Sequence, residues 1–252
     1  MTFSCMIGSN NVGKTLINLN NYRVVLFDLD GTIAETEMAG HLPAFNAAFA
    51  VNNLNWCWDA SDYKELLKIT GGFERLRHYR DTLTDNKKIN SNVDDATLKK
   101  IHLDKNEIYA KLIATGIVGT RPGFIELIKR IWNLNREWGI VTTTSRSNWD
   151  AIWQASIQHR VDLTPKIIIC GEDVKVKKPD PEAYLLAAKK LGLNPRQCLV
   201  VEDSSNGIAA ARNAGMDVVG VKSYFFGDDD HADATASVDA LTNISFEMSN
   251  LY

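Results

Sequence analysis

From residue 117 onward the chain alternates short, β-branched apolar runs with amphipathic stretches, and this alternation restricts its fold more than any other feature. GIVTTT (139–144), KIIIC (166–170), CLVVED (198–203) and DVVGV (217–221) read as strands. Near-continuous apolar runs of this length suit strands covered on both faces. Between them lie PGFIELIKRIWNL, NWDAIWQASI, DPEAYLLAAKKLG and SNGIAAARNAG. In the first of these, Phe124, Leu127, Ile128 and Ile131 recur at the spacing of a helical stripe laid on a sheet. In DPEA, Asp180 is expected as N-cap and Pro181 at the first helical position. The pattern predicts an α/β fold with a doubly wound parallel sheet.

One further strand, RVVLFD (23–28), stands apart from that series. Residues 37 to about 115 carry only helical patterns, among them AFNAAFAV, DYKELLKI, ERLRHYRDTL and DDATLKKIHLDKNEIYAKLIA. The economical organisation is a small all-helical cap over 37–116, inserted into a core made of 22–36 and 117–252. DNKKINSNVDD (85–95) reads as an exposed connection inside the cap. Residues 1–21 are expected to form an N-terminal extension.

That extension contains Gly8 to Thr15, which fits the nucleotide-binding pattern G-x-x-x-x-G-K-[ST]. Such a loop needs a strand before it and a helix after it. Seven residues precede Gly8, eight separate Thr15 from Val24, and the intervening LINLNNYR is rich in Asn, a poor helix former. A parallel crossover needs roughly a dozen residues. The match therefore fails its context, and Lys14 is not expected to meet a phosphate.

The net charge of −3 comes from intermixed signs, without a basic footprint for nucleic acid or for an acidic membrane. No apolar run approaches the ~20 residues that span a bilayer, and no secretion signal is visible at the N-terminus. Cys5, Cys57, Cys170 and Cys198 are scattered outside any metal or redox spacing. Reduced, mostly buried thiols in a cytoplasmic protein are expected, and so is a monomer.

FDLDGT at 27–32 carries the sharpest chemistry. Asp28 and Asp30 stand two apart at the carboxyl end of an apolar strand, where open parallel sheets bind ligands, and Gly31 permits a tight turn. A lone D-x-D is more often a turn signal. Here, however, Glu202 and Asp203 end a second strand, and converging carboxylates repel unless a cation joins them. Hard oxygen ligands of this kind suit Mg²⁺. TTTS (142–145) offers hydroxyls at a third strand end, and KKPDPEA places Lys178 before a Pro-fixed turn into a helix. Taken in this order, these motifs predict a phosphoryl-transfer site.

Through FDLDGT, VTTTS, KKPDPE and VVEDSSNG, the chain resembles the haloacid dehalogenase superfamily over residues 22 to about 240. The resemblance implies a Rossmannoid core in which Asp28 is the nucleophile and Asp30 the general acid and base. It implies that Thr143 and Lys178 bind the transferring phosphate. Mg²⁺ would sit on Asp28, the Asp30 carbonyl and Asp203, with Glu202 assisting. A helical insertion directly after the first motif is the subfamily I pattern, in which a cap closes over the substrate. AETE (34–37) and Gly116 to Gly119 would then be the hinges.

Within the cap, ETE, HLPAFNAAF, NWCWD, YKELLKITGGFERLRHY and TRPG before VTTTSRSN are similar to the CbbY group. That group removes phosphate from xylulose 1,5-bisphosphate, an inhibitor of Rubisco. The resemblance places Glu35, His41, Tyr63, Gly71, Gly72, Glu74, Arg75, Arg121, Ser145 and Asn148 around the substrate. Leu42 stands where an Arg follows the His in that group, and Phe73 stands where a Lys follows the Gly pair, so the cap loses positive charge. Of the basic cluster Arg75, Arg77, His78 and Arg80, Arg75 is the one expected to face the ligand. His102, His159 and His231 read as surface or packing residues, and the six tryptophans read as core and cap packing, although Trp56 and Trp58 could border the pocket.

A sugar-bisphosphate phosphatase is the favoured function, because of TTTS and TGGFERLRHY. A phosphosugar mutase resembling β-phosphoglucomutase stays open, since it uses the same Asp28/Asp30 pair. A nucleotide-binding P-loop protein and a non-catalytic phosphosugar-binding module are disfavoured.

Overall fold

The computed structural model of the chain describes residues 14–83, 93–229 and 231–248. Its main sheet has six parallel strands in the order β4-β3-β2-β5-β6-β7. These are β2 (Val24–Phe27), β3 (Glu137–Val141), β4 (Ile167–Ile169), β5 (Cys198–Glu202), β6 (Asp217–Val221) and β7 (Ala236–Val238). A separate parallel pair joins β1 (Thr15–Asn18) to β8 (Ile244–Glu247).

The central strand shows why the sheet is doubly wound. All four residues of β2 are buried, and their side chains alternate between two cores. Val25 and Phe27 join the cluster that holds α5 (Phe124–Asn133) and α6 (Arg146–Ile152), while Val24 and Leu26 join that of α7 (Glu182–Leu191) and α8 (Ser205–Asn213). The predicted stripe of α5, Phe124, Leu127, Ile128 and Ile131, is at most 5% exposed. Removing each such side chain from water contributes about 1.5–3 kcal/mol before entropy is counted.

The chain leaves β2, builds the cap, returns to β3 and β4 on one side, and then crosses to β5 on the other. β2 is thus flanked by strands reached in opposite directions, the switch point at which parallel sheets open a crevice beyond their carboxyl ends.

Residues expected as a helical insertion form α1 (Leu42–Val51), α2 (Ala60–Leu66), α3 (Gly72–Thr82) and α4 (Asp95–Ala114). Their aromatic core includes Phe45, Phe49, Trp56, Trp58 and Tyr63. An isolated antiparallel bridge between Ala34 and Thr120 ties together the two segments that connect cap and core. Most of the connection expected at 85–95 lies outside the described residues.

Several expectations need correction. The segment before Tyr22 is not wholly an extension: Thr15–Asn18 pair with β8, and Leu19 is fully buried in the main core. Thr15 begins a strand where a P-loop requires a helix, and Gly8 to residue 13 lie outside the described residues. Helix α7 starts at Glu182, one residue later than DPEA suggests, although the Asp180 carboxylate still accepts from the Glu182 amide at 2.9 Å. Trp56 and Trp58, by contrast, pack inside the cap as the packing reading of the tryptophans expects. Cys170 and Cys198 are buried and Cys57 is exposed. Among the described residues no helix is long and apolar enough to cross a membrane.

Candidate active site

Asp28 follows the last residue of β2, with its amide bonded to the Val201 carbonyl of β5 at 3.1 Å. The next residues turn sharply. Gly31 adopts φ +85°, and its amide donates to the Ala34 carbonyl at 2.8 Å. The turn brings Asp30 to the same cleft as Asp28, as the D-x-D spacing predicts, but the two carboxylates take different partners.

Asp28 belongs to a buried charge cluster. Lys178 Nζ lies 2.6 Å from Asp28 Oδ1, 2.7 Å from Glu202 Oε1 and 2.8 Å from the Val141 carbonyl oxygen, so its three protons are all placed. Burial works against the Lys178 charge, but Asp28 and Glu202 outweigh it and hold the ammonium well above its usual range. Glu202 Oε2 accepts from the Asp203 and Ser204 amides at 2.8 and 3.0 Å. Both Glu202 oxygens are therefore engaged, and the residue fixes Lys178 and the backbone after β5. Gly207 makes room for it, since a β-carbon there would lie 1.6 Å from Oε1.

Asp203 is different. Thr32 donates to its Oδ1 at 3.0 Å, whereas its buried Oδ2 has no hydrogen-bond partner among the described residues. Carboxylate oxygens of Asp28, Glu202 and Asp203 gather within 4.8 Å of one another. Burial first, and then Glu202 among the neighbouring charges, pushes Asp203 well above the usual carboxylate range; burial does the same to Asp28 despite Lys178. An orphaned buried oxygen among crowded carboxylates is what a hard divalent cation would satisfy. The residues present thus fit the expected Mg²⁺.

Asp30 faces the cap. Its Oδ1 accepts from Thr36 at 2.5 Å and lies 3.1 Å from His41 Nε2, while His41 Nδ1 lies 2.7 Å from Lys105 Nζ. When Lys105 is an ammonium it can only donate, so Nδ1 accepts and the ring N–H at Nε2 points to Asp30. Burial alone would raise the Asp30 carboxyl; His41, Thr36 and Lys105 overcome it and hold the group below its ordinary value. Lys105 is itself lowered to about 7 by burial.

The cleft has two ends that share Asp30, Glu37, Gly71, Arg75 and Thr143. One end is lined by Asp28, Lys178, Glu202 and Asp203, the other by His102, Lys105, Ser145, Asn148 and Lys177. Lys177 of the core bonds Glu74 of the cap at 2.8 and 2.9 Å. Gly71, at φ +99°, lets this pair pass, because a β-carbon would lie 2.2 Å from Glu74 Oε2. At Gly72 a β-carbon would lie 2.8 Å from His102 Nε2.

Most predicted residues meet at this cleft, but not all. Tyr63 sits behind it, fully buried, donating to Glu37 Oε2 at 2.5 Å and accepting from Arg75 at 3.0 Å. Glu35 turns away to Arg121 at 3.4 Å and to the Tyr224 amide, and Glu37 takes the place in the cleft expected for it. Arg121 braces the turn after β2 from outside by donating to the Gly31 carbonyl. Of the basic cluster on α3, Arg75 alone is buried and lines the cleft.

Lys105, His102, Lys177 and Glu37 escaped sequence reading. Lys105 left one signal: it falls on the buried stripe of α4, with Leu98, Ile101, Tyr109 and Ile113, where a lysine needs a reason. His102 lines the cleft, with burial lowering it to about 4. His231 is a buried strut whose Nε2 lies 3.0 Å from the Asp203 carbonyl oxygen.

Comparison with known proteins gives a consistent result. Residues 22–215 match the model of a hydrolase family described as haloacid dehalogenase-like hydrolase. The chain is 42% identical over 208 residues to Protein CbbY of Rhodobacter capsulatus, covering 82% of this chain and 88% of the relative. It is 36% identical over 222 residues to a CBBY-like protein of Arabidopsis thaliana, covering 86% and 68% of the two chains. Among solved structures, a mutant CbbY from Rhodobacter sphaeroides in complex with xylulose 1,5-bisphosphate superposes with a TM-score of 0.80. That pair is 31% identical, with 89% of this chain and 97% of the other covered.

Proposed function

The chain belongs to the haloacid dehalogenase-like hydrolase family, and from that premise we propose that it is a phosphatase that removes one phosphate from a small sugar bisphosphate, xylulose 1,5-bisphosphate being the first candidate. The observation that carries this reading is the two-ended cleft. Asp28 and Lys178 stand at one end, Lys105, Lys177 and Ser145 supply amino groups and a hydroxyl at the other, and Thr143 and Arg75 border both. A substrate with two separated anionic groups matches that distribution. The bound ligand of the CbbY structure supports the choice of sugar.

Asp28 Oδ1 is held by Lys178, which leaves Oδ2 to attack phosphorus. As the Asp28–phosphorus bond forms, the bond from phosphorus to the sugar oxygen breaks, and Asp30, which must enter this step as the carboxylic acid, gives that oxygen its proton and is left as the carboxylate. Water then attacks the aspartyl phosphate and yields its proton to the Asp30 carboxylate. The Asp28–phosphorus bond breaks, and inorganic phosphate leaves. Throughout, Lys178 opposes the negative charge gathered at the nucleophile. Mg²⁺ held by Asp28, Asp203 and the Asp30 carbonyl would neutralise the charge between carboxylate and phosphate.

Phosphate release measured across sugar mono- and bisphosphates with Mg²⁺ tests the proposal, which expects xylulose 1,5-bisphosphate among the best substrates. Incubation with β-glucose 1-phosphate and a trace of the 1,6-bisphosphate separates phosphatase from mutase. Rapid formation of glucose 6-phosphate with little free phosphate would establish the mutase.

A further inference from the structure

The aromatic core of the cap is completed by a residue that does not belong to the cap. After β6 the chain enters a loop at 222–229, in the core half of the sequence, and Phe225 from this loop is only 5% exposed. It is buried in the cluster of Phe45, Trp58 and Tyr63, whose other fully grouped members all come from residues 42–101. The Phe225 ring meets Tyr63 edge-on, with centroids 5.7 Å apart at 72°.

Tyr63 is the residue through which this contact reaches the cleft. Its hydroxyl donates to Glu37 and accepts from Arg75, and the Arg75 guanidinium lies 5.1 Å from the centre of its ring. Glu37 and Arg75 both line the cleft. The loop is tied on either side of Phe225: the Tyr224 amide donates to Glu35, Lys64 of the cap reaches Asp228 at 3.4 Å, and Asp229 accepts from Ser205 of α8 at 2.9 Å. The Phe225 ring is thus held by the core and received by the cap. If the cap swings away without this loop, an aromatic ring is exposed and the face of Tyr63 is uncovered.

We propose that Phe225 is a positioning residue: a wedge from the core that seats Tyr63, and through it sets Glu37 and Arg75 at the part of the cleft that recognises the body of the substrate. This rests on the reading of the cleft as a sugar bisphosphate site. Its effect falls on recognition and not on the reacting end, because Lys178 holds Asp28, Glu202 holds Lys178 and Thr32 holds Asp203, all without Tyr63.

The test compares two substrates in the full chain, xylulose 1,5-bisphosphate and p-nitrophenyl phosphate, which has neither a sugar nor a second phosphate. For Phe225→Ala, KM for the bisphosphate should rise about tenfold or more, while kcat and the p-nitrophenyl phosphate reaction change by less than about threefold. Phe225→Tyr should restore the KM. Equal losses on both substrates, or no change on either, would overturn the proposal. Hydrogen exchange without substrate gives a second readout: amides of α2 and α3 should exchange faster in Phe225→Ala while those of β2 and β5 do not. Unchanged exchange in α2 and α3 would also overturn it. If the wild type cleaves p-nitrophenyl phosphate but not the bisphosphate, the substrate reading fails, and the exchange result alone decides the role of Phe225.

Discussion

Lys178 Nζ lies 2.7 Å from Glu202 Oε1, and the two side chains are 3% and 1% exposed. A pair sealed this completely is held by mutual need, since either charge alone would be buried without compensation. Lys178→Met should therefore destabilise the protein by about 3–5 kcal/mol, besides removing activity. Chemical denaturation of the variant checks this, and a loss below about 1 kcal/mol would show that Asp28 and Glu202 do not depend on the lysine.

Asp28→Asn should abolish phosphate release, because an amide cannot form the acyl phosphate. Asp30→Asn should slow turnover by about 10²–10⁴-fold, the range for loss of a general acid and base. Steady-state phosphate assays decide both, and retained turnover in Asp28→Asn would rule out the covalent mechanism.

The uncompensated Asp203 Oδ2 predicts a stability that depends on divalent cation. Mg²⁺ at 100 times its dissociation constant should stabilise the fold by about 2.7 kcal/mol, with EDTA reversing the gain. Asp203→Asn should blunt that response. A melting temperature equally sensitive to Mg²⁺ in both proteins would place the cation elsewhere.

Gly207→Ala should be far worse than an ordinary helix substitution. Alanine is favoured over glycine in a helix by about 1 kcal/mol. Here, however, the new β-carbon would overlap Glu202 Oε1, and the near atom belongs to a carboxylate bonded on both oxygens. A melting temperature at or above the wild type would show that Glu202 can move at little cost.

Lys105 should make stability depend on pH. Burial lowers it to about 7, whereas an unfolded lysine titrates near ~10.4. Between those values the unfolded chain binds more protons at this site, so stability rises with pH and is lost as pH falls toward 7. Relative to Lys105→Met, the wild type should gain up to about 1.4 kcal/mol per pH unit from pH ~7.5 to ~10, and nothing below ~6.5. Parallel pH profiles of the two proteins would show that Lys105 titrates normally.

The sheet was legible because its signal is local. Every predicted core strand is present, and α5 buries the four residues its spacing marks. The strands Thr15–Asn18 and Ile244–Glu247 were not legible, since each is only four residues long and finds its hydrogen bonds in the other, more than 220 positions away. The gathering of polar side chains at one edge of the sheet was legible for a related reason. Asp28, Thr143, Lys178 and Asp203 each stand at or beyond the carboxyl end of a strand, and parallel strands deliver such residues to one edge whatever the loops do.

The recognition end obeys no such rule. Glu35 and Glu37 are two positions apart where the chain passes from the core to the cap helices, and their text cannot say which one the turn aims inward; the structure turns Glu35 to Arg121 and Glu37 to Tyr63. Lys105, Lys177 and Phe225 come from a cap helix, a core loop and a second core loop, and their partners are His41, Glu74 and Tyr63. By itself the sequence determined the layered core, the helical insertion and the polar groups at the strand ends, because strand and helix periodicity are written in neighbouring residues. Only the tertiary structure decided how cap and core meet, because those contacts join side chains far apart in the chain, whose directions depend on packing.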